Sequence, residues 1–284
     1  MKLQGDDEIV KKIGIVSRYD RPEALEMVET IMTRFRNEVD IFLAPRTAQH
    51  LKNKHPCMAI DSMRKAGVEL IIVIGGDGTV LRTISKMDDP LPLLGINMGT
   101  LGFLVDVKPE DAIETIENVL KGFTYIELSR LAVKLNNENL PCATNELVLI
   151  TSRAAKMLSF SICVDDSQID ELRADGVVIA TPTGSTAYAM SAGGPIIDPR
   201  VDATLIVPLA PFKLSARPWI VPGSSKIKLT MTIPEKEAAV VLDGQHTYHV
   251  HERDMITLTR AENPARFVKM PLDGFYEKVK SKLS

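Results

Sequence analysis

Near Gly122 the hydrophobic pattern of the chain changes its period. Upstream, short apolar runs alternate with segments whose apolar residues recur every three or four positions. IGIVS at 13–17 reads as a strand. Pro22 opens a helix through Arg36 in which Leu25, Val28, Ile31, Met32 and Phe35 share one face. A second strand covers 39–43, and one or two helices lie within 47–66. The run LIIVI at 70–74 is wholly apolar, as suits a strand buried on both faces of a parallel sheet. A short helix at about 79–86, a strand at 92–96 and an amphipathic helix at 109–121 follow. Such alternation predicts an α/β domain over 1–122 built on a doubly wound parallel sheet.

Downstream the period falls towards two. Segments 125–135, 146–151, 158–164, 176–180, 226–233, 239–242 and 255–258 are short and rich in β-branched residues, with Asn136-Asn137 and Asp243-Gly244 as turn signals. They predict an all-β, sandwich-like domain over 123–269. Residues 273–282 read as a helix again, so a C-terminal helix within about 270–284 is expected to pack back on the first domain.

Composition removes several classes of function. With 45% apolar and 25% charged residues, long disorder is excluded. Lys and Arg number 34 against 37 Asp and Glu, a net charge of −3, which argues against nucleic acid as the partner. A bilayer span needs roughly 20 consecutive apolar residues, and no such run occurs, so no membrane partner is expected. The opening MKLQGDDEIVKK has no apolar core and reads as neither a signal nor a transit peptide. Cys57, Cys142 and Cys163 are odd in number and lack CxxC spacing, which argues against structural disulfides and a thiolate zinc site. A cytoplasmic, reducing compartment is expected.

GGDGT at 75–79 sits between the apolar strand and a helix start, at the edge of the sheet where ligands of such folds bind. Bare backbone at Gly75, Gly76 and Gly78, followed by Thr79, suits close approach of phosphate oxygens. Asp77 is unusual there. A carboxylate repels phosphates unless Mg²⁺ bridges them or a substrate hydroxyl donates to it, and both cases point to phosphoryl transfer. The same spacing also serves a plain strand-to-helix turn with Asp77 as the cap. Arg82, on the departing helix, either reaches a phosphate or is solvated. No P-loop and no GxGxxG occurs.

The second concentration of signal is DGVVIATPTGSTAYAMSAGGP at 175–195. Its hydroxyls and glycines suit a multidentate site for a sugar phosphate or nucleotide, and Tyr188 is placed to stack on a base. A Ser/Thr-rich loop would share that composition. Asn145-Glu146, ahead of the apolar run 147–150, either binds ribose hydroxyls or ends the strand.

Taken in order, GGDGT, the Asn145-Glu146 pair and the 175–195 run resemble the NAD kinases, as do NMGTLGFL at 97–104, ARP at 216–218 and DGQ at 243–245. The resemblance covers most of the chain. TPTGSTAY is its specific part, because the GGDG turn alone is shared with diacylglycerol, sphingosine and phosphofructo-type kinases. The resemblance implies an α/β domain with a sandwich-like β domain. The implied reaction moves the terminal phosphoryl of ATP, or of polyphosphate, to the 2′-hydroxyl of the adenosine ribose of NAD, making NADP. It further implies Asp77 as the catalytic residue, with Gly78 in the same pocket and Asn145 and Glu146 holding NAD. Asp175, Thr186, Ala187, Tyr188 and Ser191 would contact its adenosine and nicotinamide parts, with Arg82, Lys156, Arg173 and Gln245 as further contacts. Mg²⁺ or another divalent cation would travel with the donor phosphates, and the assembly would be a homodimer or homotetramer. The rival readings are another GGDG kinase acting on a lipid or sugar, and a non-catalytic NAD(P)-binding regulator.

Other features read as structural. His249 and His251 share a strand face near His246 without an identifiable third ligand. Met27, Met32, Met58 and Met63 read as core, Cys142 and Cys163 as small apolar groups, and the basic tail 276–284 as a solvated helix end.

Overall fold

The computed structural model describes residues 9–51, 55–99, 102–153, 155–232, 237–268 and 274–283. The opening eight residues, Thr100 and Leu101 of the NMGTLGFL segment, Ile233 at the end of one expected strand and Asp273 lie outside the described residues. The chain divides into two compact units, Met1–Glu127 with Ala265–Ser284, and Leu128–Pro264.

The first unit begins with β1 (Lys12–Ser17), α1 (Pro22–Phe35), β2 (Asp40–Leu43), α2 (Pro45–Gln49) and α3 (Ile60–Met63). It continues through β3 (Leu70–Gly75), α4 (Asp77–Ile84), β4 (Leu93–Asn97), α5 (Ala112–Leu120) and β5 (Tyr125–Leu128). Pro22 opens α1 at a position where a missing N–H costs nothing, and Ala24, Val28, Ile31 and Phe35 bury the face that the spacing marks. β1 pairs in parallel with β2 and β3, and β3 with β4. All six residues of β3 are buried, as two-sided packing requires. The stretch 47–66 gives only short helices, because the chain between them runs beside β2. There the Leu43 N–H donates to Pro56 (3.0 Å) and the Met58 N–H to Leu43 (2.9 Å). Met63 is fully buried, Met27 and Met32 are half-buried and only line the core, and Met58 is half-buried.

The second unit is all β apart from single turns. It contains β6 (Leu131–Leu135), β7 (Glu138–Ala143), β8 (Glu146–Thr151), β9 (Leu158–Val164), β10 (Ser167–Ala174) and β11 (Gly176–Ala180). After α6 (Tyr188–Ser191) come β12 (Ala203–Leu209), β13 (Trp219–Pro222), β14 (Ile227–Met231), β15 (Ala238–Leu242), β16 (His246–Val250) and β17 (Met255–Arg260). Two six-stranded sheets result, ordered β10-β9-β14-β17-β6-β7 and β13-β12-β11-β8-β15-β16, with antiparallel neighbours. Phe160, Leu229 and Ile256 from one sheet meet Leu147, Val177 and Val240 from the other in a single core. The opposite face of the second sheet is also covered, with Val148, Val178 and Leu205 packing on Ala189 and Ile197. Burial on both faces explains why β8 and β11 read as continuous apolar runs.

The segment 125–135, which reads as one strand, is two. It breaks at Ser129-Arg130 into β5 and β6, which belong to different sheets. Arg130 is 1% exposed, its guanidinium donates to the Asn263 carbonyl (3.4 Å), and its own carbonyl accepts the Ala261 N–H (2.8 Å). Of the strands that the period reading does not mark, β7, β10 and β13 are sheet edges, which tolerate Pro141, Pro222 and a charged run such as Asp170-Glu171, whereas β12 is passed over although it lies inside its sheet with all seven residues buried.

After 264 the chain re-enters the first unit. β18 (Ala265–Val268) pairs in parallel with β4, Phe267 facing Leu93, and completes the order β2-β1-β3-β4-β18-β5. The last helix, α7 (Phe275–Leu283), sets Phe275 against Phe103 with ring centroids 6.5 Å apart. Lys278 pairs with Asp106, and the Lys282 ammonium lies 4.0 Å from the Phe103 centroid. This tail is therefore engaged with the first unit rather than solvated along its length. No helix among the described residues is long and apolar enough to cross a membrane.

Candidate active site

The turn after β3 is built from one constrained glycine and two open ones. A Cβ on Gly75 would lie 2.4 Å from Thr79 Oγ1, so the strand can turn into α4 only with a bare α-carbon there. Gly76 and Gly78 have nothing within 4 Å of a built Cβ, so open space stands before their backbone. α4 begins with Gly76 at its N-cap and no side-chain cap, which leaves first-turn N–H groups without an intrahelical partner. A cavity of about 390 Å³ opens at this point, lined by Arg18, Tyr19, Asp20, Gly76, Gly78, Thr79 and Arg82, with Arg18 paired to Asp20 (2.7 Å). Backbone donors and the Arg82 guanidinium around one hollow suit a chain of phosphates.

Asp77 does not cap the helix. Its Oδ2 accepts the Phe103 N–H (2.7 Å) and its Oδ1 the Leu104 N–H (3.0 Å). A Cβ at Gly102 would sit 2.1 Å from Asp77 Oδ1, so the glycine in this loop admits the carboxylate. A carboxylate offers about four lone-pair sites, so acceptor capacity remains for a substrate hydroxyl.

In the second unit, β11 ends at Ala180 opposite Glu146, and the segment that follows folds back on Asn145. The Thr181 hydroxyl donates to the Thr144 carbonyl (2.7 Å) and accepts the Gly184 N–H (3.1 Å). Gly184 presses on the Asn145 carbonyl, where a Cβ would approach to 2.1 Å. From the far side comes Asp243. The N–H groups of Thr144 (2.7 Å), Asn145 (2.8 Å) and Glu146 (3.0 Å) all donate to its buried carboxylate. Asp243 and Gly244 take φ of 49° and 64°, the left-handed pair of a tight hairpin turn, so the turn between β15 and β16 aims this side chain at β8.

Asn145 Oδ1 and Glu146 Oε2 are buried without a hydrogen-bond partner among the described residues. Such orphans are costly, and a ligand that completes them gains correspondingly. Burial, and then the charge of Asp243, push the Glu146 carboxyl up to about 8, against the pull of the Tyr188 N–H. At neutral pH Glu146 therefore presents an O–H beside the amide of Asn145, a donor and acceptor pair suited to sugar hydroxyls. Burial also raises Asp243, opposed by its three N–H donors and by Arg130.

Thr186, Ala187 and Tyr188 belong to the segment that covers this pair. Thr186 is buried, whereas Tyr188, at 42%, and Ser191 are exposed. Gln245 closes the Asp243-Gly244 turn by donating its N–H to Leu242 (2.8 Å). Asp175, Arg173 and Lys156 stand apart. Asp175 accepts the Thr151 N–H (2.8 Å) at the opposite end of β11, about 17 Å from Ala180 at strand spacing. The Arg173 guanidinium lies 5.4 Å from the Phe212 centroid, and Lys156 is exposed. Among the described residues no group of three or more His, Cys, Asp or Glu is placed to hold a metal.

Asp243 is the residue that motif reading undervalued. It appears as a turn signal and in the DGQ match, whereas its work is to set the backbone of 144–146.

Two family models match the chain, the ATP-NAD kinase N-terminal domain over 13–124 and the ATP-NAD kinase C-terminal domain over 144–270. An NAD kinase of Methanosarcina mazei is 55% identical over 281 residues, covering 99% of this chain and 96% of the relative. One from Methanosarcina acetivorans is 56% identical over 97% of this chain and 99% of its own length. Among solved structures, an NAD kinase from Archaeoglobus fulgidus in complex with ATP superimposes with a TM-score of 0.79 at 29% identity, covering 95% of this chain and 99% of that one. Yeast NADH kinase complexed with NADH gives 0.87 at 24% identity over 97% and 88%, a likeness of fold.

Proposed function

The chain belongs to the NAD kinase family, and from that premise we propose how its residues make NADP from NAD. It is a phosphotransferase with the two-domain fold of that family, an α/β part and a β-rich part. The acceptor is the 2′-hydroxyl of the adenosine ribose, and the donor is the terminal phosphoryl of ATP, with polyphosphate as the other candidate. The observation that carries this reading is the buried, unpartnered pair Asn145 Oδ1 and Glu146 Oε2 under the TPTGSTAY segment. A nucleoside's ribose hydroxyls complete both.

Gly75, Gly76, Gly78 and Thr79 form the phosphate cradle, with Arg82 beside it. The divalent cation, Mg²⁺ or another, arrives on the donor phosphates and neutralises charge there. Asp77 accepts the hydroxyl proton late, as the ribose oxygen bonds to phosphorus, since an aspartate is a weak base towards a ground-state alcohol. Tyr188 stacks on the base, and Thr186, Ala187, Ser191 and Gln245 surround the dinucleotide. Asp175, Arg173 and Lys156 are kept as contacts to its more distant part.

A cytoplasmic location belongs to the same reading, and Cys57, Cys142 and Cys163 form no disulfide among the described residues. So does a homodimer or homotetramer, supported by exposed Phe212, Leu214, Trp219 and Ile220. A lipid or sugar kinase of the GGDG group is not favoured, because both halves of the chain match NAD kinase domains.

The test is NADP formation from NAD with Mg²⁺ and ATP or polyphosphate, run beside Asp77→Asn. Turnover is expected to fall by about 10² or more in the variant, with a smaller change in NAD affinity. Near-normal turnover would remove Asp77 from the mechanism. Binding of NAD without turnover in the unaltered chain would favour the regulator reading.

A further inference from the structure

Asp77 takes its orientation from a short loop that returns to the sheet after β4. Its carboxylate oxygens accept the successive N–H groups of Phe103 (2.7 Å) and Leu104 (3.0 Å). Two neighbouring amides grip both oxygens only while the backbone at 103–104 stays fixed. Downstream the loop is anchored. Val105 is fully buried over the bare α-carbon of Gly95, and Val107 bridges Ile96 and accepts the Asn97 N–H (2.7 Å). On the other side, Gly102 has no side chain to pack, since a Cβ there would meet Asp77 itself. The grip therefore depends on what holds Phe103.

α7 supplies that hold, within the same compact unit. Phe275 sets its ring against Phe103, tilted by 50° with centroids 6.5 Å apart. Two turns along the helix, the Lys282 ammonium stands 4.0 Å from the Phe103 centroid. Between them Lys278 pairs with Asp106, and both side chains are shielded, at 17% and 20% exposure. Phe275, Lys278 and Lys282 fall at three- and four-residue steps, so one face of α7 makes all three contacts. The Phe103 ring and the N–H that Asp77 accepts share one α-carbon. A ring that shifts takes the donor with it.

We propose that α7 positions the catalytic carboxylate, with Phe275 and Lys278 fixing loop 102–106 and, through it, the direction of Asp77. The proposal rests on Asp77 as the proton acceptor of the kinase reading. Such a group works only within hydrogen-bond reach of the reacting hydroxyl, and a small misplacement costs turnover. A supporting layer that locks the reacting side chain is what that geometry requires. The Asn145-Glu146 pair has its own scaffold in Asp243, so α7 acts on turnover and leaves NAD affinity alone.

The experiment places Phe275→Ala and Lys278→Glu in the full chain, each alone and combined with Asp77→Asn. NADP formation from NAD and Mg²⁺-ATP gives kcat, and calorimetry gives NAD affinity. Phe275→Ala is expected to lower kcat about tenfold while the NAD dissociation constant moves by less than about twofold. Lys278→Glu, which leaves both rings in place, is the second variant in case the first unfolds α7. Its expected fall in kcat is about threefold, and adding Asp106→Lys, which reverses the pair, is expected to recover most of it. In the Asp77→Asn background the same changes are expected to alter residual turnover by less than about twofold, because the group they position is gone. Unchanged kcat in both variants, or an equal loss in the Asp77→Asn background, overturns the positioning role. So does a loss of NAD affinity that matches the loss of turnover. Near-normal turnover in Asp77→Asn alone overturns the assignment of Asp77, and this inference with it.

Discussion

Glu146 keeps a proton in the folded chain that it releases in the unfolded one, and the reason is local. It lies under the TPTGSTAY segment next to the buried charge of Asp243, and both disfavour a second negative charge. The unfolded carboxyl titrates near pH 4. Between there and about pH 8 the native state binds more protons, so this group's contribution to stability falls as pH rises and stops falling above about 8. Glu146→Gln keeps a neutral side chain of similar shape at every pH. Its melting temperature is therefore expected to gain on that of the unaltered chain from pH 5 to pH 8 and then to hold its lead. A difference that stays flat across that window, in calorimetric scans, would remove the protonated Glu146.

Among the elements, the turn after β11 is the most demanding. Gly184 is in ordinary backbone geometry but has no room, since its α-carbon faces the Asn145 carbonyl. Gly184→Ala must move either the TPTGST turn or the Asn145-Glu146 backbone, at a cost of about 1–3 kcal/mol in stability. The NAD constant is expected to rise about tenfold, because a small displacement of Asn145 spoils both hydrogen bonds at once. Unchanged NAD affinity in titration calorimetry would show that the turn is not tied to the pair. The GGDG turn differs, since only Gly75 is sterically required there and Gly76 and Gly78 face open space. Element edges also show where period-reading fails. Interior strands β3, β8 and β11 announce themselves by two-sided burial, while β7, β10 and β13 at the edges carry proline and charge; β12, interior and wholly buried, goes unmarked all the same.

Across the whole molecule, the first unit depends on residues from the far end of the chain. Phe267 sits 7% exposed in β18, between strands contributed by the first half. Phe267→Ala is expected to cost about 3–5 kcal/mol, as for other core aromatics. Hydrogen exchange should report the loss in β3 and β4 while β8 and β11 keep their protection, and equal loss in both units would contradict their separate cores. Local composition was enough to read the two hydrophobic periods, the strand–GGDGT–helix turn and the hydroxyl-rich segment after β11. Each of these depends on neighbours a few residues away, whose periodicity and turn chemistry are written in the chain itself. Long-range register supplied the rest. Asp243 reaches amides 97 to 99 residues earlier, Lys278 meets Asp106 across 172 positions, and the strand at 265–268 joins the sheet begun at residue 12. These contacts belong to surfaces that exist only once the sheets are assembled, so no local pattern carries them.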